Sequence, residues 1–374
     1  MDAEREYLEA MRRRIARNRV PYTGTIELTH RCNLRCMHCY CGDQDAVREF
    51  RDDELSTDQW LGFLDRMAGA GCLDLLISGG EPMLRADFPE IFSRAKELGM
   101  IVTVFCNGTM VGERIIELFS DLPPFLVEIS LYGATAATHD RITQSPGSYG
   151  RMRSGVDRLL AAGIRVGLKT VLMTLNAEEY AQMEKLADEL GAGWRSDAAL
   201  FPCLPSEDSG GHANACGSCS GAGSILDFRV DAGRAAEIEC GRAERAEALR
   251  RALVRGGHPR TRALYTCGAG LTGFHMDPYG NLQPCLMATG YRENAVELGF
   301  DEAWRRLAHI RKVEAPQDYE CNHCDLQPVC SGCPALFDLE NGDPAARSEY
   351  ICSLARHRFD KIREQEPIAG VVSK

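Results

Sequence analysis

Seventeen of the 374 residues are cysteine, and most of them fall in short clusters. A secreted disulfide scaffold of this length would be unusual, and the count is odd. In a reducing compartment, clustered thiols hold metal more often than they pair with one another. The first cluster, Cys32-Asn-Leu-Arg-Cys36-Met-His-Cys39, has the spacing C-x3-C-x2-C. Three thiolates on one tight loop can hold three irons of a cubane cluster and leave the fourth iron without a protein ligand. An open iron can take a small molecule, as the open position of a catalytic zinc does. Zinc is the competing reading, and it requires Cys41 or His38 to bend back as a fourth ligand.

The chain around this loop reads as a folded protein, with 44% apolar and 26% charged residues. The formal charge of −11 argues against nucleic acid as the main partner. No apolar run approaches the roughly 18 residues of a membrane span. The N-terminus, MDAEREYLEAMRRR, lacks the apolar core of a secretion signal. A cytoplasmic protein that meets neither membrane nor nucleic acid is expected. Residues 2–19 read as an amphipathic helix packed on the domain, with Leu8, Met11 and Ile15 on one stripe.

From Thr25 to about Ala199, short β-like runs alternate with helical stretches. Strands are expected at Thr25–Leu28, Leu73–Ile77, Ile101–Phe105, Leu126–Leu131, Val166–Met173 and Gly193–Asp197. Helices are expected from an N-cap at Ser56 to about Ala70, at Phe88–Leu98, Arg114–Ser120, Tyr149–Ala162 and Ala177–Leu190. Six such units imply a parallel α/β sheet with right-handed crossovers, two short of a closed barrel. Residues 206–222 read as a Gly/Ser/Asn-rich loop, and a helix follows near Arg234–Arg255. Residues 263–360 are cysteine-dense and too sparse in apolar periodicity to build a large core without metal staples. The expected division is an N-terminal helix (1–23), a barrel (24–205), a bridging region (206–262), a cysteine-rich domain (263–365) and a tail (366–374).

The triad, its place after the first strand, and Tyr40 resemble the radical S-adenosylmethionine (SAM) superfamily. The resemblance implies a partial (β/α)6 TIM-like barrel carrying a [4Fe–4S] cluster whose open iron chelates SAM. Reduction then splits SAM to methionine and a 5′-deoxyadenosyl radical that abstracts hydrogen from substrate. Gly79-Gly80-Glu81-Pro82 follows the second strand and is similar to the family motif that cradles the methionyl amino group, which implies that role for Gly79, Gly80 and Glu81. Two glycines allow the backbone to approach a ligand closely. Asn107-Gly108-Thr109 resembles a family turn, with Cys106 replacing its first Thr. In similar peptide-modifying members a strand-end Ser meets the ribose and an Arg eleven residues later meets the SAM carboxylate. Those positions are Ser130 and Arg141 here. His38 stands where relatives flank the adenine. Lys169-Thr170 on the fifth strand has no assigned role.

The C-terminal third reads Cys267-x12-Gly280-x4-Cys285, then Cys321-x2-Cys324-x5-Cys330-x2-Cys333, then Cys352. This resembles the iron–sulfur SPASM extension of radical SAM enzymes, except that the last short gap is two residues rather than three. By resemblance, Cys321, Cys324, Cys330 and Cys352 hold one auxiliary cluster, and Cys267, Cys285 and Cys333 belong to another. The second set has three members. Its cluster either keeps an open iron, recruits Cys216 or Cys219, or is a smaller cluster. Cys41, Cys72, Cys106, Cys203 and Cys240 are expected to be inert thiols.

Members with this extension, the I-S-L-Y-G strand and the H-D-R-I-T segment at His139–Thr143 often crosslink ribosomally made peptides through thioether or carbon–carbon bonds. The expected substrate is therefore a precursor peptide, with flavodoxin or ferredoxin as reductant. With no room for a recognition domain before Thr25, a separate leader-binding protein or direct docking is expected. An anaerobic sulfatase-maturase-like dehydrogenase, making formylglycine from Cys or Ser, ranks lower. That group has an acid after the cysteine of the x4-C element, and Leu286 stands there. Porphyrin side-chain modification is a further alternative. An iron–sulfur electron carrier, which needs neither barrel nor SAM pocket, ranks last.

Overall fold

The computed structural model describes residues 2–204, 224–256 and 261–365. Strands β1 (Thr23–Glu27), β2 (Asp74–Ser78), β3 (Ile101–Cys106), β4 (Leu126–Ser130), β5 (Val166–Val171) and β6 (Gly193–Asp197) pair in parallel, each with the next. Helices cross between them, as parallel pairing requires. Six strands curve without closing. Among the described residues β6 pairs only with β5, so it is the sheet's edge. This is the expected partial barrel.

Alternation within the strands separates two faces. Ile26, Leu75, Ile77, Val102, Val104, Val127, Ile129 and Leu168 are buried in the core against the helices. The alternate positions Thr25, Glu27, Leu76, Ser78, Phe105, Ser130, Lys169, Arg195 and Asp197 line a central cavity. The first crossover helix, Thr57–Gly69, starts at Ser56 with a capping box. Ser56 Oγ accepts from Gln59 N at 3.3 Å, and Gln59 Oε1 accepts from Ser56 N at 2.8 Å. It buries Trp60, Leu64 and Met67, each contributing roughly 1.5–3 kcal/mol. The helix Phe88–Glu97 buries Phe88, Ile91, Phe92 and Ala95 on the same principle.

The sheet does not stop at β1. Strand β7 (Gly273–Met276) lies parallel beside β1, and β8 (Asn281–Gln283) and β9 (Glu293–Asn294) continue it antiparallel. Phe274, Met276, Leu282, Phe300, Trp304 and Leu354 enter the barrel's own core. The cysteine-rich segment thus borrows apolar surface that its own sequence lacks. Arg19 joins the two ends of the chain. Its guanidinium lies 4.0 Å over the Trp304 ring and its Nε donates to Gly270 O at 2.8 Å.

Some expectations change. The segment expected as one helix near Arg234–Arg255 is two, Ala232–Cys240 and Ala243–Arg255, interrupted at Gly241. An additional helix, Ala136–Thr143, is capped by Thr135 and stopped by Gln144 in the left-handed region. The N-terminal helix runs Asp2–Arg17, but Leu8 is 39% exposed and Tyr7 70%, so its stripe is only partly covered. Residues 206–222, with Cys216 and Cys219, and the tail 366–374 lie outside the described residues.

Candidate active site

The cysteine triad follows β1 in a loop held from several sides. Arg35 N and Met37 N donate to Thr143 O (3.0 Å) and Ile142 O (2.9 Å). This anchors the loop to the H-D-R-I-T helix. Cys32 N donates to Gln44 Oε1 at 2.6 Å. Arg31, just before the triad, forks onto the buried Glu54 carboxylate at 3.0 and 2.9 Å. The Gly79-Gly80-Glu81 turn lies directly on this segment, with Gly80 N donating to Thr29 O (2.7 Å) and Glu81 N to Arg31 O (2.9 Å). Gly79 has φ +133°, and a Cβ there would meet Thr29 O at 2.3 Å. A Cβ on Gly80 would meet His30 O at 2.4 Å. The nearest demand for glycine here is the chain's own backbone rather than a ligand.

A cavity of 380 Å³ opens at the C-terminal ends of the strands. Cys32, Cys36, Cys39, His38, Tyr40, Gly79, Gly80, Asn107 and Ser130 all line it. Burial, with Cys39 and Cys32 nearby, pushes the Cys36 thiol well up; burial and Glu81 push Cys32 to about 12. The Cys32 sulfur accepts from Leu34 N at 3.4 Å and Asn107 Nδ2 at 3.6 Å, contacts that favour a thiolate. His38 stands edge-on to Tyr132, 4.4 Å between centroids, and its buried Nδ1 has no partner among the described residues. Burial lowers its pKa to about 4. Tyr40 donates to Glu27 at 2.5 Å, and His30 lies 3.0 Å from the same carboxylate.

Two expected ligand contacts are absent from the lining. Glu81 is fully buried and spends its oxygens on backbone, accepting from Met83 N (3.1 Å) and Asn107 N (2.8 Å). Its side chain fastens the β2 turn to the end of β3, and burial raises it to about 7. Arg141 is exposed, and its Nη2 donates to Leu175 O at 2.9 Å. It stands on the outer side of the helix whose carbonyls hold the triad loop, so its fork does not enter the cavity.

Residues without an assigned role line it instead. Lys169 Nζ lies 3.0 Å from the centre of the Phe105 ring, and Arg195 Nη2 pairs with Glu128 Oε2 at 2.6 Å. Parallel strands covered on both faces read as continuous apolar runs. A lysine inside Val166-Gly-Leu-Lys-Thr-Val171 is therefore a signal that one face is a polar lumen.

In the C-terminal region, Cys267 and Cys333 bear electrostatically on Cys285, which burial raises to about 11. Cys352, Cys330 and Cys324 bear likewise on Cys321, again after burial. Leu286, next to Cys285, reaches the triad's cavity.

A half-open parallel barrel with three cysteines at the mouth defines a class. Residues 26–190 match the radical SAM superfamily, whose members are enzymes that use a [4Fe–4S] cluster and SAM. The chain is 28% identical over 348 residues to the AdoMet-dependent heme synthase of Methanosarcina barkeri, covering 90% of this chain and 97% of that one. It is 33% identical over 195 residues to the PqqA peptide cyclase of Xanthomonas campestris, covering 49% of this chain and 51% of that one. The fold is shared with anSMEcpe with bound AdoMet (TM-score 0.68, 15% identity, 92% of this chain and 98% of that one). It is shared also with Streptococcus suis SuiB bound to precursor peptide SuiA (TM-score 0.64, 16% identity, 92% and 80%).

The residues present fit these groups. Among the described residues no three His, Cys, Asp or Glu side chains converge closely enough for a single ion, although Cys41 lies against Cys39. Three thiols that share a cavity mouth suit a cluster held by cysteine thiolates. The unpartnered His38 Nδ1 and the lining hydroxyl of Ser130 leave polar groups for a cofactor such as SAM.

Proposed function

We propose that this enzyme modifies a ribosomally made peptide by forming a thioether or carbon–carbon crosslink. Cys32, Cys36 and Cys39 hold the SAM-binding cluster. Cys321, Cys324, Cys330 and Cys352 hold one auxiliary cluster, and Cys267, Cys285 and Cys333 the other. When bound, the cluster and SAM supply a carbon-centred radical that takes hydrogen from the substrate. Gly79, Gly80, Asn107, Ser130, His38 and Tyr40 shape the cofactor's part of the cavity, and Glu81 positions them from behind. The electron donor is a flavodoxin or ferredoxin, and the leader is recognised by a separate protein or by direct docking.

The observation that carries this reading is the cavity's size and opening. At 380 Å³ it sits near the lower end of small-molecule sites, roughly 300–1,000 Å³. A cofactor and one side chain fill that space better than a cofactor and a rigid macrocycle. The lining residues Arg195 and Asp197 belong to β6, the sheet's edge, along which an extended peptide can add as a further strand. Leu286 places an apolar wall where a dehydrogenase of the sulfatase-maturing type needs a base.

Tetrapyrrole side-chain modification is the second reading, favoured by the similarity to heme synthases over 90% of the chain. Anaerobic coexpression with the short neighbouring open reading frames, followed by mass measurement, tests the first reading. A crosslinked peptide lighter by two hydrogens is expected. Unchanged peptides, together with conversion of Fe-coproporphyrin III by the purified enzyme, would refute it in favour of the second.

A further inference from the structure

The inner wall of the half-barrel carries a lysine that, among the described residues, no carboxylate contacts directly. Lys169 on β5 is in register with Ser130 on β4 and with Arg195 on β6, and all three line the cavity. Arg195 is held by Glu128 at 2.6 Å. The other lining carboxylates are engaged elsewhere. Asp197 Oδ1 accepts from Ala199 N at 2.8 Å. Glu27 takes Tyr40 and His30 on the opposite wall. Lys169 rests on the Phe105 ring and has no carboxylate within 4.0 Å of its Nζ among the described residues. This ammonium inside the lumen rests on an aromatic face, drawn by the ring's quadrupole and, at longer range, by Glu128. Burial, followed by the repulsion of Arg195, brings its pKa down to about 7 against the opposing pull of Glu128. A carboxylate entering the lumen would satisfy it with a charge-assisted hydrogen bond, and Arg195 stands one strand away as a second donor.

We propose that Lys169, with Arg195 beside it, binds a carboxylate of the substrate and so selects substrates bearing one near the reacting carbon. The inference rests on the reading that the half-barrel lumen receives the substrate. For a peptide the group is an Asp or Glu side chain or the C-terminal carboxylate, and for a tetrapyrrole it is a propionate.

The reconstituted native enzyme, Lys169→Met and Lys169→Arg are titrated with two acid–neutral pairs of probes. One pair is a blocked pentapeptide with a central Glu and its Gln counterpart. The other is Fe-coproporphyrin III and its tetramethyl ester. SAM affinity is measured on the same samples by equilibrium dialysis. The native enzyme is expected to bind at least one acid probe about tenfold more tightly than its neutral partner, the size of one charge-assisted bond. Lys169→Met loses that preference, and Lys169→Arg keeps most of it. A preference confined to the tetrapyrrole pair upholds the carboxylate site and removes the peptide reading. A preference confined to the Glu peptide upholds both. The proposal is overturned if the native enzyme prefers neither acid, if the preference survives in Lys169→Met, or if that variant loses SAM affinity about tenfold, which would make Lys169 a SAM ligand.

Discussion

The pairing of Arg358 with Glu239 gives the sharpest stability test. The two side chains are 2% and 1% exposed. Arg358 Nε donates to Glu239 Oε2 at 2.6 Å and Nη2 to Oε1 at 2.9 Å, a fork-on-fork contact. The remaining Nη1 donates to Val329 O (3.1 Å) and Ser331 Oγ (2.6 Å), on either side of Cys330. Arg358 shares the helix Glu349–Gln365 with Cys352. One guanidinium therefore ties the helix Ala232–Cys240 to two proposed ligands of the four-cysteine cluster. Arg358→Met strands a buried carboxylate, with, among the described residues, only Arg245 near it at 3.8 Å. That costs about 3–5 kcal/mol. At about 2.1 cal/mol/K per residue, a 374-residue cooperative unit loses about 1.3 °C per kcal/mol, so Tm falls by about 4–6 °C. The double variant Glu239→Met/Arg358→Met removes both charges and is expected to lose less than either single change. Scanning calorimetry of the anaerobically reconstituted enzyme, with iron counted per chain, reads both effects. A single-variant loss under about 1 kcal/mol, or a double-variant loss equal to the sum of the singles, refutes the reasoning.

Replacing Cys32, Cys36 and Cys39 together with Ala should abolish 5′-deoxyadenosine release while the iron of the C-terminal groups stays, as read by chromatography and iron assay; continued release would remove the triad assignment. Gly80→Ala should do nearly the same, because its Cβ meets two backbone carbonyls at 2.4 and 2.5 Å. Gly62→Ala, mid-helix with open space around it, should instead stabilise the enzyme by roughly 0.5–1 kcal/mol, and equal effects at the two glycines would contradict the steric account. Burial raises the Glu81 carboxyl from its ordinary 4.5 to about 7, so between these pH values the native chain binds more protons than the unfolded one. Stability relative to Glu81→Gln should therefore fall by up to about 3 kcal/mol as pH rises from about 4 to 8, and a flat difference in urea unfolding would show that the carboxyl is not so perturbed.

Much of the fold is written in local pattern. Gly193–Asp197 is a strand and Ser56 caps a helix because period and capping chemistry act within a few residues. The parallel direction of the strands follows from the alternation of strand and helix, since a crossover helix returns the chain to the same end of the sheet. Arg234–Arg255 misled because its apolar spacing runs on past Gly241, where the helix breaks. The short helix Ala136–Thr143 carries too few turns for its periodicity to stand out.

By itself, the order of residues determined the alternating strands and helices, the triad after β1, and the spacing of the C-terminal cysteines. Tertiary structure alone decided which side chains share the lumen. It turned Arg141 outward and Glu81 onto backbone, brought Leu286 to the cavity from the far end of the chain, and set Lys169 beside Ser130 and Arg195. It also placed β7 against β1, giving a cysteine-rich segment a core to lean on. The reason is that spacing along a chain governs hydrogen bonds and periodicity over a few residues. Which distant strands become neighbours, in what register, is fixed only when the whole sheet packs.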